Sequence, residues 1–140
     1  MEDKKELALK VLLIAIAIYH VFLGMFAFLS DAAAVQIAKI FFGMNIVATP
    51  QLSYIAKLLG IYALFFGIFM FIASRNPQQY RAFICGGVAL YAVRVINRII
   101  FAGLVTTAFG VSGFAFWMEI VLLAFFGGLL FWLMPKEKNA

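Results

Sequence analysis

The sequence predicts an all-α integral membrane protein: an up-down-up-down bundle of four transmembrane helices, with an amphipathic interfacial helix between the first two. Three observations predict it. Of the 140 residues, 66% are hydrophobic and 12% are charged, against roughly 25% charged in a soluble domain. The hydrophobic residues gather into four runs long enough to cross a bilayer. The charges are segregated, with Lys4, Lys5, Lys10, Arg75, Arg81, Lys136 and Lys138 lying outside these runs or at their ends.

In chain order, Met1–Glu6 is a short charged tail and Leu7–Leu29 is the first run, apolar apart from Lys10, Tyr19 and His20. It reaches about 35 Å at a helical rise of about 1.5 Å per residue, enough for a hydrocarbon core of about 30 Å with some tilt. It is too long for the apolar region of a signal peptide, and no small-residue cleavage site follows it. Ser30 and Asp31 then offer a helix cap. The segment from Ala32 to Phe42 is too short and too polar to cross. Val35, Ala38 and Phe42 share one face, and Gln36, Lys39 and Gly43 lie on another. It is either an amphipathic helix at the interface, a lid folded back over the bundle, or an ordered loop shielding helix ends.

Thr49–Pro50 opens the second helix, with Thr at the N-cap and Pro at the first helical position. Gly60, Ala63 and Gly67 form a smooth stripe for close helix packing. Asn76 and Pro77 open the third helix by the same logic, and Ser112 is a candidate cap for the fourth, which Pro135 stops. The expected spans are 7–29, 52–73, 82–107 and 114–134, in one domain of residues 1–140. Loops 30–51 and 108–113 face outward, and the 74–81 loop faces the cytoplasm. That orientation puts both termini and nearly all flanking Lys/Arg on the cytoplasmic side of a bacterial inner membrane.

The third run holds Tyr91–Ala–Val–Arg94–Val–Ile–Asn97–Arg98. An ionisable residue inside a span costs at least about 2.5–3.5 kcal/mol, so it reads as a functional site. His20, Lys57, Arg94, Arg98 and Glu119 fall about 8–15 Å below the outer end of their helices, or one turn deeper for Arg94, by helical rise. Tyr91, Arg94 and Arg98 share a face, as do Tyr54, Lys57 and Gly60, and as do Glu119, Leu123 and Gly127. Polar groups on small-residue faces point into a bundle. The expected ligand-binding set is therefore Arg94, Arg98, Asn97, Glu119, Lys57, His20, Tyr54 and Tyr91.

Charge within this set does not balance, since Lys57, Arg94 and Arg98 face one acid, Glu119. One bidentate Arg–Glu119 pair is expected. The remaining cations call for carbonyls, water, lipid phosphate, an anionic ligand or a partner's acid. In a purely structural reading Glu119 pairs with Arg98, Lys57 snorkels outward, and Arg94 bonds Asn97, a Tyr or backbone oxygens. His20 is either a proton acceptor or cofactor ligand, or a structural histidine bonded to Asn97 or a Tyr.

Several classes are excluded. One cysteine, Cys85, allows neither an intrachain disulfide nor a thiolate metal site, and one histidine rules out bis-His haem within one chain. The basic residues form no clustered face for nucleic acid. No nucleophile–base pair, metal set or phosphate loop is evident, so the sequence leans away from an enzyme and leaves any cofactor unknown.

Gly60–Ile61–Tyr62, the arginine-bearing Val93–Arg94–Val95–Ile96–Asn97–Arg98 and the acid of Trp117–Met118–Glu119 resemble the small bacterial four-helix membrane proteins around the DoxX-like group and the uncharacterised families near it. The resemblance implies the four-helix fold. Some DoxX-like proteins are subunits of quinone-linked oxidoreductases, so it also implies a quinone or a partner subunit. Lys57 stands where an acidic position in helix two is implied. The trimeric glutathione-linked membrane enzymes fit less well, since their helix-two Arg/Asn/Glu cluster is absent. Two functions are expected. One is binding of an anionic or amphipathic ligand (lipid headgroup, fatty acid or quinone) in the outer half of the bundle. The other is an accessory or assembly role in a larger complex, as a homo-oligomer or beside a partner subunit.

Overall fold

A computed structural model describes residues 2–136, and among these every regular element is a helix. The order is α1 (Glu2–Leu29), α2 (Asp31–Phe42), α3 (Pro50–Arg75), α4 (Arg81–Ile100), α5 (Ala102–Phe109) and α6 (Gly113–Leu133). Helices α1, α3, α4 and α6 are long and apolar enough to cross a membrane.

The helix starts follow local chemistry. Ser30, Thr49 and Ser112 sit in extended conformation, and their side-chain oxygens accept from the backbone N–H groups of Ala33, Leu52 and Ala115. Each satisfies one N–H that a helix N-terminus leaves unpaired. Gly43 and Gly110 end α2 and α5 at φ 64° and 61°, a left-handed conformation that favours glycine.

Three boundaries differ from expectation. Glu2–Glu6 belongs to α1 rather than to a tail, and Glu6 pairs with Lys10 one turn on. The expected polar tail beyond Lys136 lies outside the described residues. Asn76 does cap, accepting from the Gln79 N–H, but it caps a separate turn and α4 starts only at Arg81. The third run is not one helix to 107. It breaks at Phe101, whose φ of −99° and ψ of 24° leave the helical region. Beyond the break, the Thr106 and Thr107 hydroxyls donate back to the carbonyls of Ala102 and Gly103, a bonding that bends helices.

The four long helices pack as two antiparallel pairs. In the first, α1 and α3 approach at their glycines. A Cβ on Gly24 would lie 2.5 Å from the Gly60 carbonyl oxygen, and one on Gly67 would lie 2.8 Å from that of Ala17. The Gly60 and Gly67 stripe is thus used as expected, with Gly24 as its counterpart. In the second pair, α4 and α6 meet where Tyr91 packs on Gly127 and the Arg94–Arg98 face meets Glu119.

The pairs join most closely at the end that holds the α3–α4 turn. There Phe69 stacks on Phe83, Gly87 packs on Met70 and Lys5 lies over the Trp132 ring. Arg81 donates to the Pro135 carbonyl, and Cys85 packs against the Met134 sulfur. The main core (Leu9, Leu13, Met70, Ile84, Leu130) fills this end. Towards the opposite end, which carries α2 and α5, the pairs part. A smaller cluster of Val105, Val111, Phe116 and Ile120 ties α5 to α6 there, and α2 lies across the gap with Ala34 and Ala38 buried. Of the three expectations for this segment, the structure forms a helix folded over the bundle end.

Candidate functional site

Arg94 and Arg98 sit one turn apart on α4, and Glu119 faces them from α6. Glu119 bridges both arginines, with Oε2 2.5 Å from Arg98 Nη2 and Oε1 3.7 Å from Arg94 Nη2. The expected bidentate pair is therefore not formed, and each carboxylate oxygen serves a different guanidinium. The Arg98–Glu119 approach is a charge contact without hydrogen-bond alignment. Among the described residues neither Glu119 Oε2 nor Arg98 Nε has a hydrogen-bond partner.

The two arginines are differently placed. Arg98 is buried, with its side chain 6% exposed. It lies over the Phe116 ring and donates to the Phe42 carbonyl at 3.5 Å, which ties the last residue of α2 to α4. Arg94 is 32% exposed, at a longer distance from the acid, and packs over the Phe42 ring. Since a charge contact weakens with distance and Arg98 holds the nearer oxygen, Arg94 is the less neutralised cation.

Arg94 and Glu119 form part of the wall of a cavity of about 530 Å³ between α1, α4 and α6, roofed by residues 39–42 of α2 and its cap Gly43. Buried Ile16, Tyr91 and Leu123 form its floor. Its exposed lining residues are Lys39, Ile40 and Phe41 in the α2 roof and, below that roof, Ala15 and Tyr19 of α1 and Met118 and Leu122 of α6. Below the roof the cavity thus opens sideways between α1 and α6. Its wall is mainly aliphatic and aromatic, with polar groups only from Tyr19, Lys39, Tyr91, Arg94 and Glu119.

The remaining expected site residues divide. Tyr91 lines the cavity, seated by Gly127, where a Cβ would come 3.0 Å from the Tyr91 Cβ. His20 is buried beside it but faces a core of Tyr19, Phe66 and Tyr91 rings. It bonds the Ile16 carbonyl through Nδ1 at 2.9 Å, not Asn97 or a tyrosine, so Nδ1 carries the proton. Lys57 is not in the cluster. It pairs with Asp31 at 2.8 Å, across the start of α2, and Tyr54 beside it is 69% exposed. Asn97 points away from the site, exposed on the outer face of α4.

Tyr19 and Lys39 of the lining, and the Asp31 counter-ion, were missed. Asp31 lies outside the apolar runs and reaches Lys57 only because α2 folds back. The signal for Tyr19 was its place beside His20 in an otherwise apolar run. Asn45, in the α2–α3 connection, donates its backbone N–H to the Phe109 carbonyl, away from the arginines.

Among the described residues no group of three or more His, Cys, Asp and Glu could hold a metal ion. The geometry defines a class of site: a mainly apolar, side-opening cavity with the under-neutralised Arg94 at its polar end and Lys39 in its roof. No family model, curated protein or solved structure matches the chain.

Proposed function

We propose that the chain is a multi-pass membrane protein that binds a chain-bearing amphiphile with an anionic headgroup in the cavity beneath α2. The observation that carries the proposal is the position of Arg94, a cation that shares Glu119 with Arg98 on the wall of a mainly apolar cavity. An anionic headgroup (carboxylate or phosphate) at Arg94 completes the charge balance, and Lys39 at the roof adds a second positive charge. The aliphatic chain lies along Ile16, Leu122, Leu123 and Phe126. A quinone, which the resemblance implies, would fill the apolar part but leave Arg94 as it is.

The membrane reading rests on the apolar surface. Large hydrophobic residues are exposed along all four long helices, far beyond the patches a water-soluble monomer tolerates. The α3–α4 turn end carries Lys4, Lys5, Lys10, Arg75, Arg81 and Lys136, while the α2 end carries Lys39 and the ion-paired Lys57. This asymmetry supports a cytoplasmic α3–α4 turn, an outward α2 and residence in the plasma membrane of a bacterium. The surplus charge faces an internal cavity, which favours a ligand over the acid of an accessory-complex partner.

The test is native mass spectrometry of the detergent-extracted protein, followed by titration with oleate and with monoolein, which is uncharged. Oleate should bind and monoolein should bind at least about tenfold more weakly, and Arg94→Gln should remove that preference. Equal binding of the two lipids, or an unchanged preference in Arg94→Gln, would overturn the proposal.

A further inference from the structure

The outer face of α4 carries an amide that no other described residue uses. Gly86, Leu90, Val93, Asn97 and Ile100 are all exposed, and they follow one another by four, three, four and three residues. At about 100° per residue they fall within an arc of about 80°. The buried residues Ile84, Gly87, Tyr91 and Arg98 centre roughly 130° away by the same rotation. Nothing approaches Gly86, where a Cβ would meet no atom within 4 Å. The Asn97 side chain makes no hydrogen bond among the described residues. It stands next to Arg98, whose partner Glu119 is about 9 Å along α6 from Gly113 by helical rise, so Asn97 lies within the apolar layer.

We infer that this face of α4 is the interface of a symmetric homodimer, in which Asn97 pairs with Asn97 of a second copy. The inference rests on the membrane reading but not on the proposed ligand. Three features select a second copy. First, a carboxamide presents both donors and an acceptor, so two asparagines satisfy one another. Second, copies inserted in the same direction are related by an axis along the bilayer normal. Their α4 helices then run parallel and place equal residues at equal depth, which brings Asn97 to its own image in an isologous contact. Third, the alternating four-and-three spacing is the repeat that keeps a seam facing a like helix. A single asparagine in such a seam sets register and the number of strands, and side-chain amides hold helices together in lipid. Gly86 lets the two backbones approach at the opposite end of the seam.

The test is disulfide trapping of the full chain in native membranes, in a Cys85→Ser background. Val93→Cys and Ile100→Cys lie on the seam, and Phe125→Cys lies on the exposed face of α6 as the off-seam control. Oxidation should give a dimer at the two seam positions and none at Phe125. Adding Asn97→Leu should cut the trapped dimer about threefold or more, the low end of what an interhelical amide contributes in lipid, and Asn97→Gln should restore it. A membrane-embedded chain that stays monomeric at both seam positions overturns the inference. So does a link to a different polypeptide, a dimer trapped only at Phe125, or a yield indifferent to Asn97→Leu. Extraction of the chain by alkaline carbonate would instead remove the membrane reading, and the inference with it.

Discussion

Replacing Glu119 by Gln tests whether the acid holds the α2 end together. The Arg98 and Glu119 side chains are 6% and 13% exposed and 2.5 Å apart. Removing one partner of a buried ion pair costs about 3–5 kcal/mol, because the other charge is left uncompensated. Two features reduce that figure here. Gln keeps an oxygen that can accept from Arg98, and Arg98 retains the Phe42 carbonyl and the Phe116 ring. An expected loss of about 2–4 kcal/mol remains. Arg98→Met should cost less, since Arg94 lies 3.7 Å from the same carboxylate and can close on it. The double variant Arg98→Met/Glu119→Leu should recover much of the loss, as apolar replacements of buried pairs often do. The assay is unfolding in mixed detergent micelles, followed by helical circular dichroism and analysed as a double-mutant cycle. A loss under about 1 kcal/mol for Glu119→Gln, the range of an exposed pair, would refute the reasoning. So would a double variant whose loss equals the sum of the two single ones.

Four more outcomes are expected. Gly24→Val should destabilise by about 1–3 kcal/mol in the same unfolding assay, because the side chain meets the Gly60 and Leu64 backbones. Gly128→Ala, where nothing lies within 4 Å, should be neutral or stabilising by up to about 1 kcal/mol. Ala15→Phe should reduce oleate binding at least about tenfold without loss of stability, since Ala15 is an exposed lining residue of the cavity mouth; unchanged binding in a titration would place the ligand elsewhere. The fourth outcome concerns pH. The hydrogen bond from Lys57 holds the Asp31 carboxyl below its usual value. A depressed folded-state pKa contributes stability above the unfolded-state value that is lost as pH falls through the folded-state one. The tether between α2 and α3 should therefore survive mild acid and release only at or below the ordinary carboxylate range. Amide hydrogen exchange of α2 across pH should show this step and lose it in Asp31→Asn, whereas release near neutral pH would contradict it.

Features that depend on neighbours in sequence were legible from the residues. Thr49, Ser112 and Ser30 cap because a hydroxyl beside the first turn reaches its N–H groups wherever the helix then packs. Arg94, Arg98 and Glu119 stood out because ionisable groups in apolar runs have few places to go but inward. Features that depend on how helices pair were not legible. Asn97 neighbours Arg98, and helical rotation alone does not say on which side of the arginine face the bundle lies. Asp31 and Lys57 are far apart in sequence and meet only after α2 folds across the end of α3. The cavity exists because the two helix pairs close at one end and part at the other, which no single segment records. The apolar run through the break at Phe101 carries no proline to announce it.

The sideways mouth between α1 and α6 has a consequence for how occupancy is set. Under the proposed function that mouth faces acyl chains in a bilayer, and the amphiphile would reach it by diffusing within the leaflet. Saturation then tracks the amphiphile's mole fraction among lipids, not its molarity in the surrounding medium. Diluting the membranes with buffer should leave a poorly soluble guest in place. Adding empty vesicles that exchange lipid should strip it out, and affinities measured at different lipid loads should agree only when expressed per mole of lipid.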